Sequence, residues 1–283
     1  MRARPRDSGF TRRGFFGLAS AAVGLWVREA WAGPQGRRLP ADPAALSAFE
    51  REHLPVLRLP EGTANGAKVP IVVQMNHPMT PDHHITHVRV VNPRDPIPSK
   101  GTFHFTPANG TVFLAFQARM SHGRSEVSVT AECNRHGRWS SSRTIDIPED
   151  SGGCAGEATP AGRTSGADVR PPVIRIPELV ERGRIGRDEL IHVQLKMRHP
   201  NRTGLVIRDG TFVQESPPLH LAELTVHYGG ERVSRFALTP ALSDDPFITF
   251  SLMARREGPV EIVLVNNRGQ RFEASHEIRF DRG

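Results

Sequence analysis

Two cysteines and a cluster of histidines are the residues of this 283-residue chain whose types and positions could do chemistry. Cys154 sits in Ser151-Gly152-Gly153-Cys154-Ala155-Gly156. A thiolate is a strong nucleophile. Gly152, Gly153 and Gly156 offer no bulk to hide the sulfur and let the backbone thread a narrow cleft. This pattern predicts an exposed, mobile and reactive thiol, which in an oxidising compartment is a liability unless it is used. Cys133 differs. It shares one face of an alternating run with Val127, Val129 and Ala131, while Glu126, Ser128 and Thr130 take the other, so it reads as a buried core cysteine made inert by desolvation. A disulfide between the two is disfavoured. If Arg135-His136-Gly137 forms a tight hairpin, the next strand carries the chain away from Cys133 by about 25 Å, at ~3.3 Å per residue, and Cα atoms must come within about 7 Å to be bridged.

His77, His83, His84 and His87 form the densest histidine group, and imidazole is a common metal ligand. They lie in a proline-broken loop entering a strand, with no cysteine or carboxylate at a recognised ligand spacing. They therefore read as surface-loop histidines, and the expectation is no metal and no cofactor; the alternative left open is a histidine-based metal-binding protein with His77, His83, His84 and His87 as its candidate ligands. His104 and His122 have no evident catalytic neighbour, and no Gly-x-Ser-x-Gly elbow supports hydrolase chemistry.

The elements that must position these residues are mostly strands. Leu46 to Leu57 could form one short helix interrupted at Pro55. After it come β-rich runs at 69–75, 87–91, 102–105, 112–120, 126–132 and 139–147, separated by Pro, Gly and Asn clusters. Residues 148–172, from Pro148 to Pro172, have the composition of a flexible linker. A second β-rich block has runs near 173–176, 190–197, 221–228, 232–238, 247–254, 260–266 and 270–280. The expected fold is all-β: two immunoglobulin-like β-sandwich domains in tandem, 33–147 and 173–283, with a short N-terminal helix and a cysteine-bearing linker between them.

The net charge of +7 overstates the basic character of the folded part, because residues 1–32 carry six arginines against Asp7 and Glu29 and leave about +3 for the rest. No basic face or nucleic-acid motif is legible in that remainder, and no nucleic-acid partner is expected. The N-terminus reads as a twin-arginine export signal: Arg12-Arg13, an apolar stretch from Leu18 to Val27, then Ala30-Trp31-Ala32 before a cleavage site at Gly33. The apolar run is too short to span a bilayer. The expected location is the periplasm, with no membrane attachment after cleavage.

The first block resembles the Y subunit of the sulfur-oxidation (Sox) carrier. The likeness lies in Phe49-Glu50-Arg51, Asn65-Gly66-Ala67-Lys68-Val69-Pro70, Met79-Thr80-Pro81-Asp82, Phe103-His104-Phe105-Thr106-Pro107 and the closing Gly152-Gly153-Cys154. The second block resembles the Z subunit through Arg175-Ile176-Pro177, Arg198-His199-Pro200 with Thr203-Gly204, and Asp245-Pro246-Phe247 with Phe250. The resemblance implies a fused carrier, not a catalyst. Its Gly-flanked cysteine would hold thiosulfate-derived sulfur and present it to partner enzymes, namely c-type cytochrome, hydrolase and dehydrogenase components. The Y-like and Z-like halves would pair within one chain. Two features depart from the family: Ala155 stands where a glycine is expected, and the arm is followed by a domain instead of ending the chain. Related fused carriers accompany quinoprotein dehydrogenase systems, so a role outside thiosulfate oxidation is also implied.

Overall fold

The computed structural model describes residues 45–155 and 169–281. The export signal expected at 1–32, and Gly156, lie outside the described residues.

Ser47 and Glu50 cap each other across the first turn of helix α1 (Ala48–His53): the Glu50 amide donates to Ser47 Oγ at 3.2 Å and the Ser47 amide to Glu50 Oε2 at 2.9 Å. This reciprocal cap stabilises a helix otherwise too short to stand alone. Seven strands follow: β1 (Val56–Arg58), β2 (Val69–Met75), β3 (Ile85–Val91), β4 (Ser99–His104), β5 (Val112–Ala118), β6 (Gly123–Cys133) and β7 (Gly137–Ile147). Alternation decides which face is buried. In β6 the residues from Ser125 to Cys133 alternate inward and outward, with Val127, Val129, Ala131 and Cys133 inside. The β6–β7 turn is tight, as expected, with Cys133 opposite Gly137 and Gly137 at φ 71°, which glycine adopts without strain.

The second half holds β8 (Arg170–Arg175), helix α2 (Pro177–Arg182), β9 (Glu189–Arg198), β10 (Leu205–Arg208), β11 (Thr211–Gln214), β12 (Leu221–Tyr228), β13 (Glu231–Ala237), β14 (Phe247–Ala254), β15 (Gly258–Asn266) and β16 (Arg271–Ile278). Two sheets result, with strand orders β1-β2-β5-β14-β9-β8 and β16-β15-β12-β13-β4-β3-β6-β7. Each half contributes three strands to one and four to the other, the seven-strand immunoglobulin-like count. The halves also join strand to strand. β5 pairs antiparallel with β14, Leu114 opposite Phe250, and β4 pairs antiparallel with β13, Phe103 opposite Phe236. One hydrophobic core runs through both halves. Phe103, Phe236 and Phe250 pack edge to face across the join, with ring centroids 5.2 and 5.6 Å apart. The β10–β11 hairpin stands outside both sheets.

A buried cysteine on a docked segment

Cys154 is 1% exposed, which corrects the expectation of a free, mobile thiol. After a 3₁₀ turn at Glu149–Ser151 the chain settles into a groove between the Asn65–Lys68 turn and the Met120–His122 loop. The glycines read as flexible are what lets it lie there. A Cβ on Gly153 would stand 2.1 Å from the Ala67 nitrogen, one on Gly66 would stand 2.5 Å from the Ser151 oxygen, and one on Gly152 would stand 3.0 Å from the His122 nitrogen. Bare backbone meets bare backbone, and composition alone cannot tell that use of glycine from freedom.

Four hydrogen bonds hold the segment. The Gly153 amide donates to the Met120 oxygen (2.8 Å), the Gly66 amide to the Ser151 oxygen (2.8 Å), Arg119 Nη1 to the Gly153 oxygen (3.0 Å) and Thr203 Oγ1 to the Cys154 oxygen (2.7 Å). Thr203 belongs to the second half, so both halves grip the segment. Arg119 also donates to the Asn201 oxygen at 2.9 Å and pairs with Asp244 at 2.7 Å.

The sulfur faces a buried ion pair. Lys100 Nζ lies 2.5 Å from Asp95 Oδ2, with both side chains at most 1% exposed, and donates to the Ile97 and Arg119 carbonyls at 3.1 and 2.8 Å. The Ser121 amide donates to Asp95 Oδ1 at 2.7 Å. Burial pushes the Cys154 thiol from 9.0 up to about 12; the nearby Asp95 carboxylate adds to the rise, while Lys100 and Arg119 oppose it. Docked, the sulfur is a neutral thiol, a poor nucleophile at neutral pH. It lines a 160 Å³ cavity with Ser121, His122, Glu149, Asp150, Gly152 and Ala155, closed on one side by Ile207 and Phe212 of the β10–β11 hairpin.

Residues 47–154 match the sulfur oxidation protein SoxY family, and residues 182–277 match the sulphur oxidation protein SoxZ family. The chain belongs to the SoxY and SoxZ families, fused in one polypeptide. Its SoxY part ends at Cys154, and its SoxZ part supplies Asn201, Thr203 and the hairpin that covers the cavity. Membership of the two families supports a sulfur-oxidation carrier role for the SoxYZ chain. No curated protein matches the chain. Solved structures with some similarity include the superoxide reductase (neelaredoxin) of Ignicoccus hospitalis, with TM-score 0.29 and 23% identity over 43% of this chain and 89% of that one. The reduced form of the Archaeoglobus fulgidus superoxide reductase gives 0.28 and 21% over 36% and 94%. The Parabacteroides merdae β-glucuronidase gives 0.24 and 10% over 79% and 24%. Similarity at these scores bears on no functional conclusion.

Both cysteines of the fused SoxYZ chain are free. The histidine group divides. His77 is 4% exposed, not a surface-loop residue, and burial pushes it down to about 4, with His53 and His83 adding to the shift. His83 lies beside it, with ring centroids 4.5 Å apart. His84 turns away to the Thr80 oxygen (3.1 Å), and His87 stands on β3 between Glu132 and His104. The neighbours of His77 and His83 are instead His53, His136 and Cys133. The sequence reading missed these, although Cys133-x-x-His136 across a tight turn was a usable signal.

Proposed function

We propose that this fused chain is a periplasmic carrier, exported through its N-terminal twin-arginine segment, in which Cys154 covalently holds thiosulfate-derived sulfur and presents it to sulfur-oxidising partner enzymes. The observation that carries the proposal is the position of Cys154: it closes the SoxY match, on a segment held by two backbone and two side-chain hydrogen bonds and lining a small cavity. Loading requires the segment to leave its groove. Four hydrogen bonds worth on the order of 1 kcal/mol each put opening at a few kcal/mol, so a minor open state is thermally populated. The docked form then protects the thiol between encounters, and the open form delivers a thiolate.

Joining the Cys154 thiol to thiosulfate forms one sulfur–sulfur bond and releases one proton and two electrons. The electrons need an acceptor, for which a c-type cytochrome partner is suited; the carrier itself supplies only the nucleophile. Alanine at 155 adds a methyl group to the delivered segment, so partner channels for this chain should tolerate a Cβ there. Protein incubated with thiosulfate and an oxidising haem partner should gain a thiosulfate-sized mass on the peptide containing Cys154. A Cys154→Ser protein that still gained it would overturn the assignment.

A further inference from the structure

At the other end of β6 from the Cys154 groove, about 30 Å away at ~3.3 Å per residue, five donor side chains converge. His53 closes α1, His77 follows β2, His83 precedes β3, Cys133 ends β6 and His136 lies in the turn to β7. The ligating atoms of His53, His77, His83 and Cys133 all lie within 4.8 Å of one another. His136 Nδ1 lies 2.9 Å from His53 Nε2, 3.1 Å from His83 Nε2 and 3.8 Å from Cys133 Sγ. Nitrogen and sulfur atoms bound to one ion at about 2.0–2.3 Å are themselves separated by roughly 3–4.5 Å, so a single ion can reach all five after small shifts.

The hydrogen bonds around the cluster leave lone pairs pointing inward. A carbonyl oxygen only accepts, so the 2.8 Å contact of His53 Nδ1 with the Phe49 oxygen and the 2.6 Å contact of His77 Nδ1 with the Pro78 oxygen put the proton on Nδ1 in both rings. Their Nε2 atoms are then acceptors. His136 Nδ1 has at most one proton for its two imidazole neighbours, and His77 Nε2, fully buried, has no hydrogen-bond partner at all. Metal-bound histidines are oriented in this way, with the far ring nitrogen donating to a backbone carbonyl. Phe49 packs on His53 and His136 with ring centroids 4.3 and 5.0 Å away, and Trp139 packs on His53 at 5.0 Å, which holds these rings in place.

We propose that His53, His77, His83, His136 and Cys133 bind one iron(II) ion. Four imidazoles and a thiolate exceed the four ligands that structural zinc takes, and a donor set without carboxylates excludes the hard cations magnesium and calcium. Iron(II) accepts mixed nitrogen and sulfur ligands at five or six positions, and an octahedral ion would keep one for a small exogenous ligand. His136 is exposed and His83 half-buried, so the cluster reaches the surface on that side.

The test is anaerobic reconstitution of the metal-stripped full chain with one equivalent of iron(II), then desalting and elemental analysis. Cobalt(II) serves in parallel as a spectroscopic probe of the thiolate. One iron per chain is expected, with a sulfur-to-cobalt charge-transfer band. His136→Ala, at an exposed position, should fold normally by circular dichroism yet retain iron at least roughly tenfold more weakly. Cys133→Ser should abolish the band. His84→Ala, His87→Ala and Cys154→Ser should change neither readout, which separates this site from the carrier cysteine. Substoichiometric iron in folded protein, preferential loading with zinc, or retention unchanged in His136→Ala and Cys133→Ser would overturn the proposal.

Discussion

Adding one methyl group at Gly153 would bring it 2.1 Å from the Ala67 nitrogen, so Gly153→Ala cannot keep the docked backbone. Overpacking of this kind costs about 1–3 kcal/mol. Labelling of Cys154 by a thiol reagent, mapped by mass, should therefore quicken at least about fivefold. An unchanged rate would mean the segment is not docked in solution. The pH dependence follows from the same burial. The docked thiol is held at about 12 against 9.0 in the open, so docking is fully favourable below pH 9 and weakens as pH rises toward 12, where the open form gains by ionising. Labelling of the native protein should keep rising past pH 9, while Gly153→Ala should level off near it; a native profile that levels off near 9 would contradict a buried thiol. Cys154 was legible in the sequence as the residue to watch. Its burial was not, because the backbone that Gly153 touches belongs to Gly66 and Ala67, which no local pattern links to it.

Among the elements, the strands that alternate against the core were readable: 69–75, 221–228 and 247–254 coincide with β2, β12 and β14. The β10–β11 hairpin was overlooked because its residues are half-exposed or exposed and carry no core-facing period, although Asp209-Gly210 is a hairpin signal in its own right. Its functional weight comes from Ile207 and Phe212 over the cavity and from Thr203 just before it. Thr203→Val removes the hydrogen bond to the Cys154 oxygen at a cost of about 1 kcal/mol. Cys154 labelling should rise roughly fivefold with the melting temperature little changed; equal rates in the two proteins would show that the hairpin side does not hold the segment. The histidine cluster shows the same limit of sequence reading. His77 and His83 were visible as a group, but His53 sits on a helix and His136 on a distant turn, and only the packing of α1 against the β6–β7 turn brings them together.

On the scale of the whole molecule, the SoxY and SoxZ parts share both sheets and one core, so thermal unfolding should show a single cooperative transition; two separated transitions would mean the halves fold independently. Arg119 ties the halves to the docked segment. Arg119→Ala leaves the Gly153 and Asn201 carbonyls unpaired and should cost about 2 kcal/mol, read as a lower denaturant midpoint together with faster Cys154 labelling. A lower midpoint with unchanged labelling would confine Arg119 to the interface between halves. Strand composition indicated two sandwiches, but pairing of β5 with β14 and β4 with β13 joins residues far apart in sequence, which periodicity does not encode. The decisive measurement is peptide-mapped mass spectrometry of the protein after exposure to thiosulfate and an oxidising haem partner. A sulfur adduct should be found on Cys154, retained in Cys133→Ser and absent from Cys154→Ser. An adduct on Cys133, or one that survives Cys154→Ser, would contradict a carrier role for Cys154.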